Sequence, residues 1–164
     1  MRILILFTTF VATVFGANWA IEHYGFVSVA PGVQAPAGVF FAGIAFTVRD
    51  LLHEQKRGVI WVPAAILAGA ACSLLISPVF ATASAAAFLF SELADFAVYH
   101  PLRQKGWLPA VAVSNAVGLA VDSALFLWLA FGSLDFIEGQ ILGKAYMTAL
   151  AIPLVWLLRK RSVA

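Results

Sequence analysis

Long apolar runs alternate with short polar breaks along the whole chain. The runs lie near 3–21, 37–53, 59–77, 80–100, 108–132 and 138–158. The breaks are APGVQAPAG, HEQKRG, ISP, HPLRQKG and GSLDFIEG. Each holds Pro, Gly or charge, the residues that end helices. Each run approaches the roughly 20 apolar residues that a helix needs to cross a bilayer core. The pattern predicts an all-α fold, a polytopic membrane bundle of about six transmembrane helices. No sequence repeat divides it, and 1–164 is expected to be a single transmembrane domain.

Composition agrees. The chain of 164 residues is 63% hydrophobic and 11% charged, where soluble domains carry about 25% charged residues. A multi-pass protein of the cell (inner) membrane is the expected location, with the lipid bilayer as its surroundings. The net charge of +2 does not point to nucleic acid, because the basic residues sit at membrane edges. Cys72 is the single cysteine, which excludes a disulfide within the chain and a thiol metal cluster.

Basic residues give an orientation. Arg2 precedes the first run, and Arg49, Lys56 and Arg57 close the second. Arg103 and Lys105 separate the fourth from the fifth, and Arg159, Lys160 and Arg161 follow the sixth. The opposite breaks carry Glu22, His23, Asp135 and Glu138 but no Lys or Arg. The positive-inside rule then places both termini in the cytoplasm. A cleaved signal peptide at MRILILFTTFVATVFGANWA is the competing account. It would leave an odd number of spans and no role for Asn18 and Trp19. Ala12, Gly16 and Ala20 form a small-residue stripe, repeated by Ala65, Gly69, Ser73 and Ser77. Such stripes let membrane helices approach closely, and packing within the bundle is the expected use.

Four charges fall inside runs. Lys144 is the one basic residue not assigned to a membrane edge, and Glu92, Asp95 and Asp122 are the acids. A charged side chain at mid-membrane costs about 2.5–3.5 kcal/mol on insertion scales, so these groups must face the interior. A register-fixing ion pair is the structural explanation, but three carboxylates exceed one ammonium. The surplus acid needs a proton, water or a ligand. Glu92, farthest from either surface, is the expected surplus acid and a candidate for proton coupling.

Helical spacing tests whether the groups meet. Glu92, Asp95, Phe96 and Tyr99 share a face of the fourth run, and Asn115, Gly118 and Asp122 share one on the fifth. Gln140 and Lys144 are one turn apart on the sixth, beside Gly143. At about 1.5 Å per residue, Glu92, Asp122 and Lys144 lie roughly 18, 15 and 9 Å below the outer surface. The expected arrangement is a column of polar groups, with Lys144 reaching toward both Glu92 and Asp122.

These segments carry a resemblance. SELADFAVYHPLR, GWLPAVAVSNAVGLAVDSALFLWLAFG and GQILGKAYMT closely resemble the queuosine precursor transporter family, also called the vitamin uptake transporter (VUT) family. The likeness covers about residues 38 to 160 and is strongest from Ala83 onward. FFAGIAFTVRDLLHEQKRG resembles the family's second span and basic loop. Two positions depart from it. Ala45 stands where many members carry Asp, with Arg49–Asp50 about a turn later, and Glu92 replaces an amide common in other members.

The resemblance implies a multi-pass importer of a nucleobase-like small molecule, 7-cyano- or 7-aminomethyl-7-deazaguanine. It implies no cofactor. The candidate substrate-binding residues are Glu92, Asp95, Asn115, Asp122, Gln140 and Lys144, with Arg49 and Asp50. A carboxylate suits the N1 and 2-amino donors of a guanine-like edge, and Lys144, Asn115 or Gln140 suits O6. Phe96, Tyr99, Phe126 and Trp128 are available for stacking.

Other chemistry is poorly represented. HExxH, CxxC, P-loop and nucleophile-elbow motifs are missing, and His23, His53 and His100 fall near run ends on different sides. No metal site and no enzyme is expected. Two alternatives remain open beside a secondary carrier. One is a substrate-binding membrane subunit of a vitamin uptake system, docking through the Ala12, Gly16, Ala20 stripe on a shared energising module. The other is a structural membrane protein with a buried ion-pair network. A homo-oligomer is compatible with so short a chain, and no feature names its interface.

Overall fold

The computed structural model describes residues 2–55 and 57–160. Lys56 and Arg161, two of the basic residues used for orientation, lie outside them. The described residues form six α-helices and one β-hairpin. The helices are α1 (Arg2–Tyr24), α2 (Val39–His53), α3 (Gly58–Ser73), α4 (Pro78–Leu102), α5 (Trp107–Phe131) and α6 (Ile137–Lys160). The hairpin strands, β1 (Phe26–Ala30) and β2 (Val33–Pro36), join α1 to α2.

The helices follow the apolar runs, with ends set by local chemistry. Gly132, in the left-handed region at φ 67, closes α5 by donating its N–H to the Trp128 carbonyl at 3.0 Å, the usual glycine stop. The third run extends to 77 in the sequence, but α3 stops at Ser73. The Ser73 carbonyl accepts the N–H groups of Ile76 and Ser77 at 2.9 and 3.1 Å, and Pro78 opens α4, where its missing N–H costs nothing.

The hairpin corrects the assignment of this stretch to a plain break. Val27 pairs with Ala35 and Ser28 with Gln34, and a bulge lies between Ser28 and Ala30. Gly32 turns the chain at φ 74. The segment crowds Val27, Val29 and Val33 around a Pro-Gly turn, which is a strand signal. It was hidden because the break was judged by Pro and Gly alone.

Not every helix has membrane-crossing length. Arg2–Tyr24, Pro78–Leu102 and Ala112–Phe131 are long and apolar enough to cross a membrane by length and composition, and Ile60–Ser73 is a shorter apolar helix. With 15 and 16 residues, α2 and α3 reach only about 22–24 Å, short of a hydrocarbon core of about 30 Å. The six expected helices are therefore present, but not as six spans of equal length.

Packing runs α3 on α1, α1 on α2, α2 on α6, α3 on α4, and α4 along α5. Phe10, Val14, Phe46, Leu52, Val62, Ile66 and Phe88 form the larger apolar cluster where α1 to α4 meet. Ile21, Ala83, Ala87 and Phe126 form a smaller one.

Glycines set the close crossings. A Cβ on Gly69 would meet the Val14 side chain at 2.9 Å, and one on Gly16 the Phe41 ring at 2.9 Å. Both small-residue stripes thus pack at these points against the chain itself, although Ala12 is exposed. Another close crossing joins α2 to α6. A Cβ on Gly43 would stand 2.5 Å from Met147 Cβ and 3.0 Å from the Lys144 carbonyl oxygen, and one on Gly143 2.7 Å from Val39. Gly139, four residues before Gly143, lies against the Gln34 carbonyl of the hairpin. This small-xxx-small pair brings α6 against both α2 and β2.

Gly43→Val should therefore lower stability by about 1–3 kcal/mol, the usual cost of overpacking. Ala71→Val, at an exposed position of α3, should leave it nearly unchanged. Thermal unfolding of the purified protein in detergent compares the two; equal midpoints would contradict the crossing.

Candidate functional site

The α2–α6 crossing turns Lys144 and Gln140 inward. Lys144 is 1% exposed and Asp122, on α5, is 3% exposed. Lys144 Nζ donates to Asp122 Oδ2 at 2.6 Å and to Ser123 Oγ at 2.9 Å. An ammonium has three N–H donors, so one remains after these two bonds. The second carboxylate oxygen of Asp122 also remains. Gln140, one turn before Lys144, is buried, and its Oε1 has no hydrogen-bond partner.

These three side chains line a cavity with about 400 Å³ of empty space, its mouth included. Phe88 of α4 and Phe126 of α5 supply flat apolar walls, and Ser84 adds a hydroxyl. The remaining lining comes mostly from aliphatic residues of α1 and the first half of α2. Behind Ser84, its Oγ donates to Asn18 Oδ1 at 2.8 Å. Asn18 is fully buried, and its Nδ2 has no partner.

A second polar cluster lies where α2, α4 and α5 meet. Arg49 is 4% exposed. Its Nη2 bonds Asp50 Oδ1 at 2.7 Å and reaches Asn115 Oδ1 at 3.5 Å. Its Nη1 forms an ion pair with Glu92. Asp50 is half exposed, whereas the Glu92 side chain is mostly covered. Asp95, one turn beyond Glu92, has a buried Oδ1 without a partner, close to where Gly118 leaves α5 bare.

The Phe46 ring adjoins both clusters. Arg49 Cζ lies 4.9 Å from its centroid and Lys144 Nζ lies 5.9 Å away. Both cations thus find the π-face of one ring, an attraction that grows as water is excluded. Phe46 in turn tilts against Phe88 at 5.5 Å, so the ring beside both cations and a ring lining the cavity are in contact.

The expected column of polar groups is thus two clusters. Asp122, Gln140 and Lys144 meet in one, and Arg49, Asp50, Glu92 and Asn115 in the other, with Asp95 beside them. Arg49 is not a loop cation but a second buried one. It lies three residues after Phe46, on the buried face of α2, which continues for another turn. This changes the charge count. Glu92, expected as the surplus acid, pairs with Arg49, and Lys144 reaches Asp122 but not Glu92. Among the expected stacking rings, Phe126 lines the cavity, while Phe96 and Trp128 are both 61% exposed. Phe46, Phe88, Ser84 and the packing of Asn18 were not foreseen. Asn18 shares a helical face with Val14 and Ile21, so its burial was recoverable from spacing.

A buried ion pair loses far more from one deletion than from two. Lys144→Met should cost about 3–5 kcal/mol by leaving the Asp122 carboxylate unpaired in the interior. Adding Asp122→Asn should restore most of that loss. Denaturation of both variants in detergent tests this, and strictly additive losses would contradict the pairing.

A family model described as "Putative vitamin uptake transporter" matches residues 58–158. No curated protein and no solved structure matches the chain. The matched stretch begins at α3 and reaches the last turns of α6. It contains Glu92, Asp95, Asn115, Asp122, Gln140 and Lys144, while Arg49 and Asp50 precede it. The match covers well over half of the chain, which belongs to the vitamin uptake transporter family.

Proposed function

We propose that the protein imports a queuosine precursor, 7-cyano- or 7-aminomethyl-7-deazaguanine or a closely related purine-like base, across the cell membrane. Transporter family membership supports a small-molecule cargo and not a catalytic role. The observation that carries the finer reading is the cavity that Asp122, Lys144 and Gln140 line together with Phe88 and Phe126.

The chemistry matches a guanine-like ring. The open oxygen of Asp122 and Oε1 of Gln140 accept from the N1 and 2-amino donors. The third N–H of Lys144 donates to O6. Phe88 and Phe126 cover the faces of the ring, which is flat and polar only at its edge. Asp122, Gln140 and Lys144 then hold the base, while Arg49, Asp50, Glu92, Asp95 and Asn115 line the continuation of the path beyond Phe46. The basic connections face the cytoplasm by the positive-inside rule, and the two clusters follow each other along the import route.

Adenine shows a different donor and acceptor pattern on the same edge, so it mismatches buried polar groups, which costs about 1–3 kcal/mol per unsatisfied group. In a cell unable to make queuosine, guanine-like analogues should compete with labelled 7-deazaguanine uptake, and adenine-like analogues should compete poorly. Equal competition by the two classes would contradict this reading of the edge.

A further inference from the structure

Four polar side chains line the cavity: Ser84, Asp122, Gln140 and Lys144. The last three come from α5 and α6, and the base reading gives each of them a partner on the ring. Ser84 comes from α4 and that reading leaves it unused. It is almost fully buried, and its Oγ donates to Asn18 Oδ1 at 2.8 Å. A hydroxyl has one proton and two acceptor lone pairs. With the proton turned toward α1, Ser84 offers the cavity an acceptor only.

Asn18 is fully buried, and its Nδ2 has no hydrogen-bond partner. Among the described residues, the bond to Ser84 is the only hydrogen bond of this side chain. An unmade bond of a buried donor is costly, and an apolar side chain of the same shape would fill the place without that cost. What the amide adds is therefore its hold on Ser84, fixing which way the hydroxyl proton points.

We infer that Ser84 is a further specificity-determining residue, an acceptor for the ring N9–H of the cargo, with Asn18 as its positioning residue. The inference rests on the base reading above and deepens it by adding a second edge of the ring. In that reading, N1–H, the 2-amino group and O6 are met from α5 and α6. The remaining ring N–H is N9–H, which the 7-cyano and 7-aminomethyl forms share. It points away from the N1 and O6 edge, so its acceptor must come from elsewhere in the cavity, and a buried N–H requires one. In a nucleoside the same nitrogen carries the sugar, so this contact favours the free base.

The test uses the purified full chain in lipid nanodiscs and equilibrium binding of two ligands. One is 7-cyano-7-deazaguanine, and the other is its furo analogue, in which an oxygen replaces N9–H without added bulk. The wild-type protein should bind the analogue about tenfold or more weakly, because an acceptor then faces an acceptor. Ser84→Ala should weaken the parent base and remove most of that preference. A merely structural loss would weaken both ligands alike and keep their ratio. Ser84→Cys, similar in shape and a much weaker acceptor, gives the same reading where Ser84→Ala does not fold. Asn18→Leu frees the hydroxyl to donate to the furan oxygen and should lower the ratio with Ser84 still in place; an unchanged ratio there would overturn the positioning role. Equal binding of the two ligands by the wild-type protein would overturn the inference and leave the base reading standing, as would a folded Ser84 variant with the wild-type ratio. Binding of neither ligand would overturn both.

Discussion

The buried pair of Lys144 and Asp122 is the contact on which the rest of the arrangement depends. A lone ammonium in the interior of a membrane bundle is expensive, and so is a lone carboxylate. Placed 2.6 Å apart, they tie α6 to α5 and fix the rotation of α6. That rotation brings Gln140 to the cavity and turns Gly139 and Gly143 toward the hairpin and α2. The glycines permit the approach, and the ion pair specifies which face approaches. The same pair supplies the two charged side chains that line the cavity, beside Phe88 and Phe126.

The second cluster repeats this logic with a different cation. An arginine stays charged in any protein environment and presents a fork of donors. Arg49 uses that fork to hold Asp50, Glu92 and, more distantly, Asn115. It thereby links α2 to α4 and α5. Phe46 adjoins both clusters, with one cation over its ring at 4.9 Å and another at 5.9 Å. A movement of that ring would alter both surroundings together.

Much of this was legible in the sequence, for identifiable reasons. Helix positions followed from apolar runs and their Pro and Gly stops, because both signals are local. The meeting of Asp122 with Lys144 followed from the rarity of charge inside spans. Arg49 was misread because a basic residue near the end of a run looks like an edge anchor. Its burial depends on how far α2 continues inward and on which face meets α4 and α5, which no local pattern states. The partner of Glu92 was missed for the same reason, since Arg49 had been counted as a loop residue. The hairpin was missed because its valines were overshadowed by the Pro-Gly break around them. The cavity walls, Phe88 above all, were invisible among 14 phenylalanines, because only packing separates a wall ring from a lipid-facing one.

A structure of the protein in nanodiscs with bound 7-cyano-7-deazaguanine, determined by electron cryo-microscopy, tests the central claim most directly. The account predicts the ring between Phe88 and Phe126, with its polar edge within hydrogen-bonding distance of Asp122, Gln140 and Lys144 and the ion pair intact. Density for the base at the Arg49–Glu92 cluster, with the Phe88–Phe126 cavity empty, would contradict it.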